Sequence, residues 1–293
     1  GFSASVVNGK IYAMGGTRTG HPTAPTSTVY ELELDFPPPD FNGDGVINGA
    51  DAAILVDHWY TDDPSFDIAP GPCGDGIVDT QDLLVLAESI GKEVQDPTLA
   101  AHWALDEAEG IIAADSVGDN DAVVFGGAMW QPNNGQVDGA LQLDGVSGYA
   151  ITGTVLNPAN GPFSILAWIK GGAAGHVIIS EPGGANWLST DPLDGRLMTG
   201  LVSPPVGRFI TQPMESESIV IDGQWHRIGL VWDGSYRHLY VDGVEVAGDT
   251  TPLSSLEEAN NGLYLGAGSS LAPGTFFSGL IDDVRIYERV VTP

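Results

Sequence analysis

The sequence predicts a mainly β protein, an antiparallel β-sandwich preceded by a small helical loop module and an N-terminal β-hairpin. Three observations lead there. From residue 99 onward short apolar runs alternate with turn pairs, and Asp-Gly recurs at 144–145, 222–223, 233–234 and 242–243, the punctuation of antiparallel hairpins. Between 40 and 90, two acidic, Gly-containing loops are each followed by apolar residues at helical spacing. Near the start, an Asn8-Gly9 pair separates two apolar runs, a strong hairpin signal.

Composition narrows the partners. The 293 residues hold 39 acidic and 10 basic side chains, a net charge of −29. Such a chain lacks the clustered Lys and Arg that nucleic acid and anionic membrane surfaces need. No stretch is long and apolar enough to insert in a membrane. The charge favours cations, because crowded carboxylates repel one another until a metal neutralises them. Cys73 is the only cysteine, so no intrachain disulfide forms and calcium is the natural staple outside the cell. The chain begins at Gly1 and reads as an internal fragment of a longer protein.

Taken in order, residues 1–35 form the first region. "SASVVNGKIYAMGG" gives two strands around the Asn-Gly turn, Gly15-Gly16 closes the second, and "STVYELELD" alternates as a third. Pro37, Pro38 and Pro39 then form a stiff extended spacer.

Residues 36–95 contain an internal repeat. "GDGVINGADAAILVDHW" aligns with "GDGIVDTQDLLVLAESI" at a constant offset. An EF-hand-type loop takes oxygen ligands at positions 1, 3, 5, 7, 9 and 12, with Gly at 6. Starting at Asp40, these positions are Asp40, Asn42, Asp44, Val46 through its carbonyl, Asn48 and Asp51, with Gly45 at the bend. Every slot carries an oxygen, so the loop reads as a calcium site. The second copy supplies Asp75, Ile77 through its carbonyl, Asp79 and Asp82, but has Gly71 and Cys73 at positions 1 and 3. Asp67 completes it if "IAPGP" loops around; otherwise the second site is weak or empty.

This duplicated loop-plus-helix resembles a type I dockerin over the whole of 36–95. The resemblance implies two calcium ions and docking onto a cohesin-like partner. In that family positions 10 and 11 carry partner recognition, often as Ser-Thr; here they are Gly49-Ala50 and Thr80-Gln81, which leaves the partner open. Residues 1–35, through "NGKIYAMGG" and "TVYELELD", resemble one kelch repeat of a β-propeller, a remnant whose faces one blade cannot bury alone.

Residues 98–293 carry "HWALDEAEG", "GALQLDGVSGYAITG", "FSILAWIKG", "GQWHRIGLVWDG", "LYVDGVEV" and "GLIDDVRIYER" in order. Together they resemble a LamG-like, concanavalin A-type jelly roll, which implies glycan or protein binding. Retaining glycosidases need two carboxylates about 5 Å apart, and no strand here spaces them as the catalytic relatives do. No catalytic residue is expected, and His226 beside Trp225 is expected to pack. Trp187, in a Gly-rich stretch with Asn186 and Asp191, is the leading candidate to stack on a sugar, followed by Tyr236. Trp168, Trp225 and Trp232 are expected in the core. Asp282 and Asp283 are adjacent in the last strand run and should point to opposite faces, leaving one buried and in need of a partner. By the jelly-roll resemblance Asp282 and Asp106 are candidates for a structural calcium site; a pairing with Arg285 is the alternative.

These readings imply a non-catalytic fragment of an extracellular or cell-surface bacterial protein. A calcium-dependent docking module is joined to a domain that binds polysaccharide or a surface protein. Two alternatives stand beside it: the targeting appendage of a secreted polysaccharide-degrading hydrolase, and an adhesion protein without sugar affinity.

Overall fold

The computed structural model describes residues 2–7, 10–15, 29–33, 39–41, 47–70, 74–91, 96–205 and 211–291, with the backbone alone over the first three segments. Asn42, Asp44 and Val46 of the first loop, and Gly71 and Cys73 of the second, lie outside the described residues. The chain divides into two compact units, Gly1–Asp96 and Pro97–Pro293.

In the first unit, β1 (Phe2–Val7), β2 (Lys10–Gly15) and β3 (Val29–Glu33) form an antiparallel meander in that order. Val7 pairs with Lys10, the register a two-residue Asn-Gly turn dictates. Two helices follow, α1 (Gly49–Asp57) and α2 (Thr80–Ser89). Both start from the same device. Asn48 and Asp79 are N-caps, whose side chains accept the Ala50 and Gln81 amides at 2.7 Å. Asp51 and Asp82, three residues on, accept the cap amides at 2.8 and 2.7 Å. Positions 9 and 12 of each loop are therefore also a capping box, which needs that spacing. Ile47 and Val78, at position 8 of each loop, join Leu55 and Leu86 in a small core.

The second unit is a sandwich. Its strands begin with β4 (Leu99–Trp103), β5 (Ile112–Ala113), β6 (Ala122–Phe125), β7 (Met129–Gln131), β8 (Ala140–Asp144), β9 (Tyr149–Ile151), β10 (Phe163–Gly171) and β11 (Val177–Ser180). They continue with β12 (Asn186–Thr190), β13 (Arg196–Thr199), β14 (Met214–Ile219), β15 (Trp225–Trp232), β16 (Arg237–Val241), β17 (Val244–Gly248), β18 (Tyr264–Leu265) and β19 (Ser278–Tyr287). One sheet runs β17-β16-β15-β10-β19-β8-β7, with β4 also on β19; the other runs β14-β13-β12-β11-β18-β9-β6-β5. Every recorded pairing is antiparallel.

Alternation decides which side chains face inward. Phe163, Ile165, Ala167 and Ile169 of β10 meet Ile179, Leu188 and Leu265 of the other sheet in one core, to which Trp103, Ile228 and Leu230 also belong. Trp232 is buried there as its pattern predicts. Trp168 and Trp225 are not: both are half-buried, because their positions alternate with the inward residues of β10 and β15. Trp168 pairs with Arg227 and Asp282, while the Lys170 ammonium lies 6.0 Å from the Trp225 ring.

β19 is irregular where it matters. Its first half pairs with β8 and its second with β4. The change of partner coincides with a bulge against β10 and with Asp283 at φ 47°. The extra residue resets the alternation. Asp282 and Asp283 are both buried, at 0% and 6% exposed, while Ile281 and Val284 keep to the core. The sequence expectation of one inward and one outward carboxylate is corrected by this bulge.

Candidate functional site

Asp282 stands where β8 hands over to β4. Its Oδ2 accepts the amides of Gln136 and Val137 at 2.6 and 2.9 Å. Nearby, Asp106 Oδ1 accepts the Gly139 amide at 2.6 Å. The segment 136–139 is thus tied to one carboxylate at each end. Asp282 Oδ1 is buried with no partner. Burial, aided by the neighbouring charges of Asp283 and Asp106, pushes the Asp282 carboxyl up to about 7. A buried carboxylate oxygen beside like charges needs a proton or a cation. Asp106 and Asp282 both offer hard oxygen donors, so the pair fits a calcium ion chemically. Asp283 takes the other course: burial raises its carboxyl, but His102 and Arg285, at 2.8 and 2.9 Å, outweigh it and hold the group ionised.

In the first unit the Asp67 carboxylate accepts the Asp75 and Gly76 amides at 3.1 and 2.7 Å, which ties it to the described part of the second loop. Gly74, at φ +66°, lies so close that a Cβ there would stand 2.1 Å from Asp67 Cγ. Asp82 Oδ1 accepts the Ile68 and Ala69 amides, both at 2.7 Å, and Asp51 Oδ1 accepts the Phe41 amide at 2.7 Å. Asp75 accepts from the Gln81 side chain at 3.1 Å. A carboxylate offers about four lone-pair directions, so these bonds order the groups without exhausting them. Among the described residues no three carboxylate, imidazole or thiol side chains converge as a metal set. Asp40 and Asn48 are both half-buried.

The predicted sugar contacts separate. Trp187 is in β12, not a loop, and is 1% exposed. Asn186 pairs with Ser180 and Leu188 with Ile179, which leaves Trp187 as the bulged residue and turns it into the core beside Leu188. Its ring packs against Phe163 with centroids 6.0 Å apart, so it has no free face for a sugar. Asp191 accepts the Leu193 and Asp194 amides at 2.7 and 3.2 Å; it shapes the β12–β13 turn. Tyr236 is half-buried in the β15–β16 turn, its amide held by Asp233 at 2.6 Å. Asn186 remains half-buried, with Oδ1 on the Ser269 amide at 3.2 Å.

Another aromatic group does face outward. Val124, Ala150 and Leu265 turn to the core, so their neighbours Phe125, Tyr149 and Tyr264 project from the other face of the sheet. Phe125 is 45% exposed, and its ring lies 5.4 Å from Tyr149 at 19°. Tyr149 meets Tyr264 edge-on at 5.3 Å and is backed by Phe276 at 6.2 Å. Tyr264 pairs with Ser180, which pairs with Asn186; Ser180 is itself 0% exposed, so the outward row ends at Tyr264. Sequence reading missed these residues because β6, β9 and β18 are far apart in the chain. The available signal was an aromatic beside a small or aliphatic core residue in each short strand.

A Ser-His-Asp chain also exists. Ser116 Oγ is 2.8 Å from His102 Nδ1, and His102 Nε2 is 2.8 Å from Asp283 Oδ1. Acyl transfer needs amides aimed at a developing oxyanion. Here the Ser116 amide donates to His102 O, and the Val117, Gly118 and Asn120 amides are taken by Asp115. The chain therefore reads as a brace between β4 and β19. A cleft of about 680 Å³ is lined by Ser203, Gln212, Met214, Arg237 and Asp249, but the Arg237 guanidinium is committed to Asp249 and to the carbonyls of Leu201 and Gln212.

Comparison with known proteins bears on this sandwich. A family model described as the concanavalin A-like lectin/glucanases superfamily matches residues 144–293. No curated protein matches the chain. Among solved structures, the binding domain of Paraclostridial Mosquitocidal Protein 1 is 14% identical with a TM-score of 0.53, covering 66% of this chain and 49% of that one. Domain 4 of AbnA, a GH43 extracellular arabinanase from Geobacillus stearothermophilus, solved with arabinotriose, is 21% identical over 67% of this chain and 95% of that one, with a TM-score of 0.45. Trypanosoma rangeli sialidase is 18% identical over 98% of this chain and 42% of that one, at a TM-score of 0.47. Among the described residues no helix is long and apolar enough to cross a membrane. The two antiparallel sheets and a family match over more than half its length together place it: the chain belongs to the concanavalin A-like lectin/glucanase superfamily.

Proposed function

We propose that the β-sandwich binds carbohydrate without catalysis, as part of an extracellular modular protein whose helix pair is a calcium-ordered docking module. The observation that carries the sugar reading is the outward row Phe125–Tyr149–Tyr264. Aromatic rings offer the apolar faces on which sugar C–H groups pack. Affinity electrophoresis of the full chain through polysaccharide gels tests it. Retardation is expected, and free migration through neutral and acidic polymers alike would sink the reading.

Calcium is the implied ion at three places. The first loop offers Asp40, Asn48 and Asp51, with Asn42, Asp44 and Val46 from its remaining positions. The second offers Asp67, Asp75, Asp79 and Asp82, with the Ile77 carbonyl. The sandwich offers Asp106 and Asp282. A bound ion would supply charge neutralisation among these carboxylates. The chain's own part is to hold them in place, through the hydrogen bonds that Asp51, Asp67 and Asp82 accept from the Phe41, Gly76 and Ile68 amides respectively. Gly49-Ala50 and Thr80-Gln81 are exposed in the first turns of the two helices, which suits a cohesin-like partner. In this reading the three-stranded meander is a kelch-like remnant. Circular dichroism during chelation and calcium return tests the metal: an unchanged helix signal would remove it from the proposal.

A further inference from the structure

The aromatic row also bears on what kind of glycan it takes. We infer that it accepts an uncharged polysaccharide chain and excludes acidic ones, an inference that rests on the carbohydrate reading above. The rings stand on β6, β9 and β18, and β11 and β12 continue the sheet beyond them; two strand spacings make the row about 10 Å long, enough for about two sugar units. None of these strands, nor β5 at the edge, carries Lys, Arg or His. His176, just ahead of β11, is pushed down by burial. Carboxylates are present instead. Glu181 follows Ser180, with Oε1 accepting the Asn260 and Asn261 amides at 2.8 and 3.2 Å. Asp144 ends β8 just before the β9 strand that carries Tyr149. A uronate, sulfate or sialate laid on the rings would lose water, gain no cation from these strands, and meet this acidic field on a chain of net charge −29. A neutral ring loses little on leaving water and packs its C–H face on Tyr149 and Phe125.

The test uses the full chain in affinity electrophoresis. Laminarin, xylan and arabinan serve as uncharged polymers; alginate, polygalacturonate and polysialic acid serve as acidic ones. Binding to at least one uncharged polymer is expected, insensitive to salt, with none to the acidic set. Phe125→Ala and Tyr149→Ala should each weaken it about tenfold or more, while Val244→Ala, exposed on the other sheet, leaves it unchanged. Phe125 is the more exposed of the two, so its variant guards against a folding defect at Tyr149. Acidic polymers bound as well as or better than neutral ones would overturn the inference and leave carbohydrate binding standing. Neutral binding untouched by both variants would overturn the row as the site. Retention by none of the six polymers would overturn the carbohydrate reading itself, and this inference with it.

Discussion

Asp282 concentrates a conflict in one side chain. One oxygen is saturated by the Gln136 and Val137 amides, and the other is buried and empty-handed beside Asp106 and Asp283. Without a cation the charge is costly, so Asp282→Asn should raise stability in chelator by about 1–3 kcal/mol, since a neutral amide keeps the Oδ acceptor and removes the repulsion. In calcium the order should reverse, because the variant forfeits the ion. Urea unfolding of the isolated transition of the sandwich, with and without chelator, reads both. A variant that is the less stable in both conditions would mean that Oδ1 does not await a cation. Trp187 makes the opposite kind of prediction. Buried against Phe163, it should cost about 3–5 kcal/mol when cut to Ala, with unchanged glycan affinity wherever the variant stays folded. A selective loss of affinity would restore it as a contact.

At the scale of elements, the hairpins β15–β16 and β16–β17 carry a titration of definite sign. Burial lowers the His226 pKa, but Asp242 and Asp222 outweigh it and hold the ring above its usual 6.5. Glu245 and Asp233 do the same for His238 against the same penalty. A pKa raised on folding means that the folded state binds protons more tightly. Its contribution is complete below about 6.5 and fades as pH rises through the shifted values. The sandwich's Tm should therefore fall as pH rises above about 6.5, modestly, since the partner carboxylates are partly exposed and salt screens them. His176, lowered by burial, works only on the acid side, which is why the alkaline window is the informative one. His226→Gln with His238→Gln should flatten that slope; an unchanged slope would place its origin elsewhere. Elements such as these were legible in the sequence: Asp-Gly pairs mark the hairpins, and the three-residue spacing from Asn48 to Asp51 and from Asp79 to Asp82 announces both helices. The bulges were not. One inserted residue at β12 hides Trp187 in a stretch whose glycines suggest a loop, and one at β19 buries two carboxylates that strict alternation would separate. The aromatic row escaped for another reason, since only the order β18-β9-β6 brings its members together, and that order is set by non-local pairing.

At the scale of the molecule, the two units have unequal means of staying folded. The sandwich has a core drawn from both sheets, whereas among the described residues the helix pair buries Ile47, Leu55, Val78 and Leu86, with Phe41, Ala52, Phe66, Ile68 and Leu83 packed against them. A core that small falls short of the conformational entropy of the residues it orders, and small units make up the deficit with disulfides or metals. A single cysteine rules out the first. Calorimetry in calcium should therefore show two transitions, with chelator abolishing or sharply lowering the one that carries the helix signal while moving the other far less. Asp82→Ala should mimic chelation of that lower transition, because Asp82 ties Ile68, Ala69 and Asp79 at once. Net charge offers a competing explanation, since any salt relieves self-repulsion in so acidic a chain. The two separate cleanly. Specific sites respond to calcium well below the concentrations at which sodium at equal ionic strength has any effect, whereas screening follows ionic strength regardless of the ion. If sodium restores the lower transition as well as calcium does, the acidic loops are only a charged surface; if calcium alone restores it, they are what folds the unit.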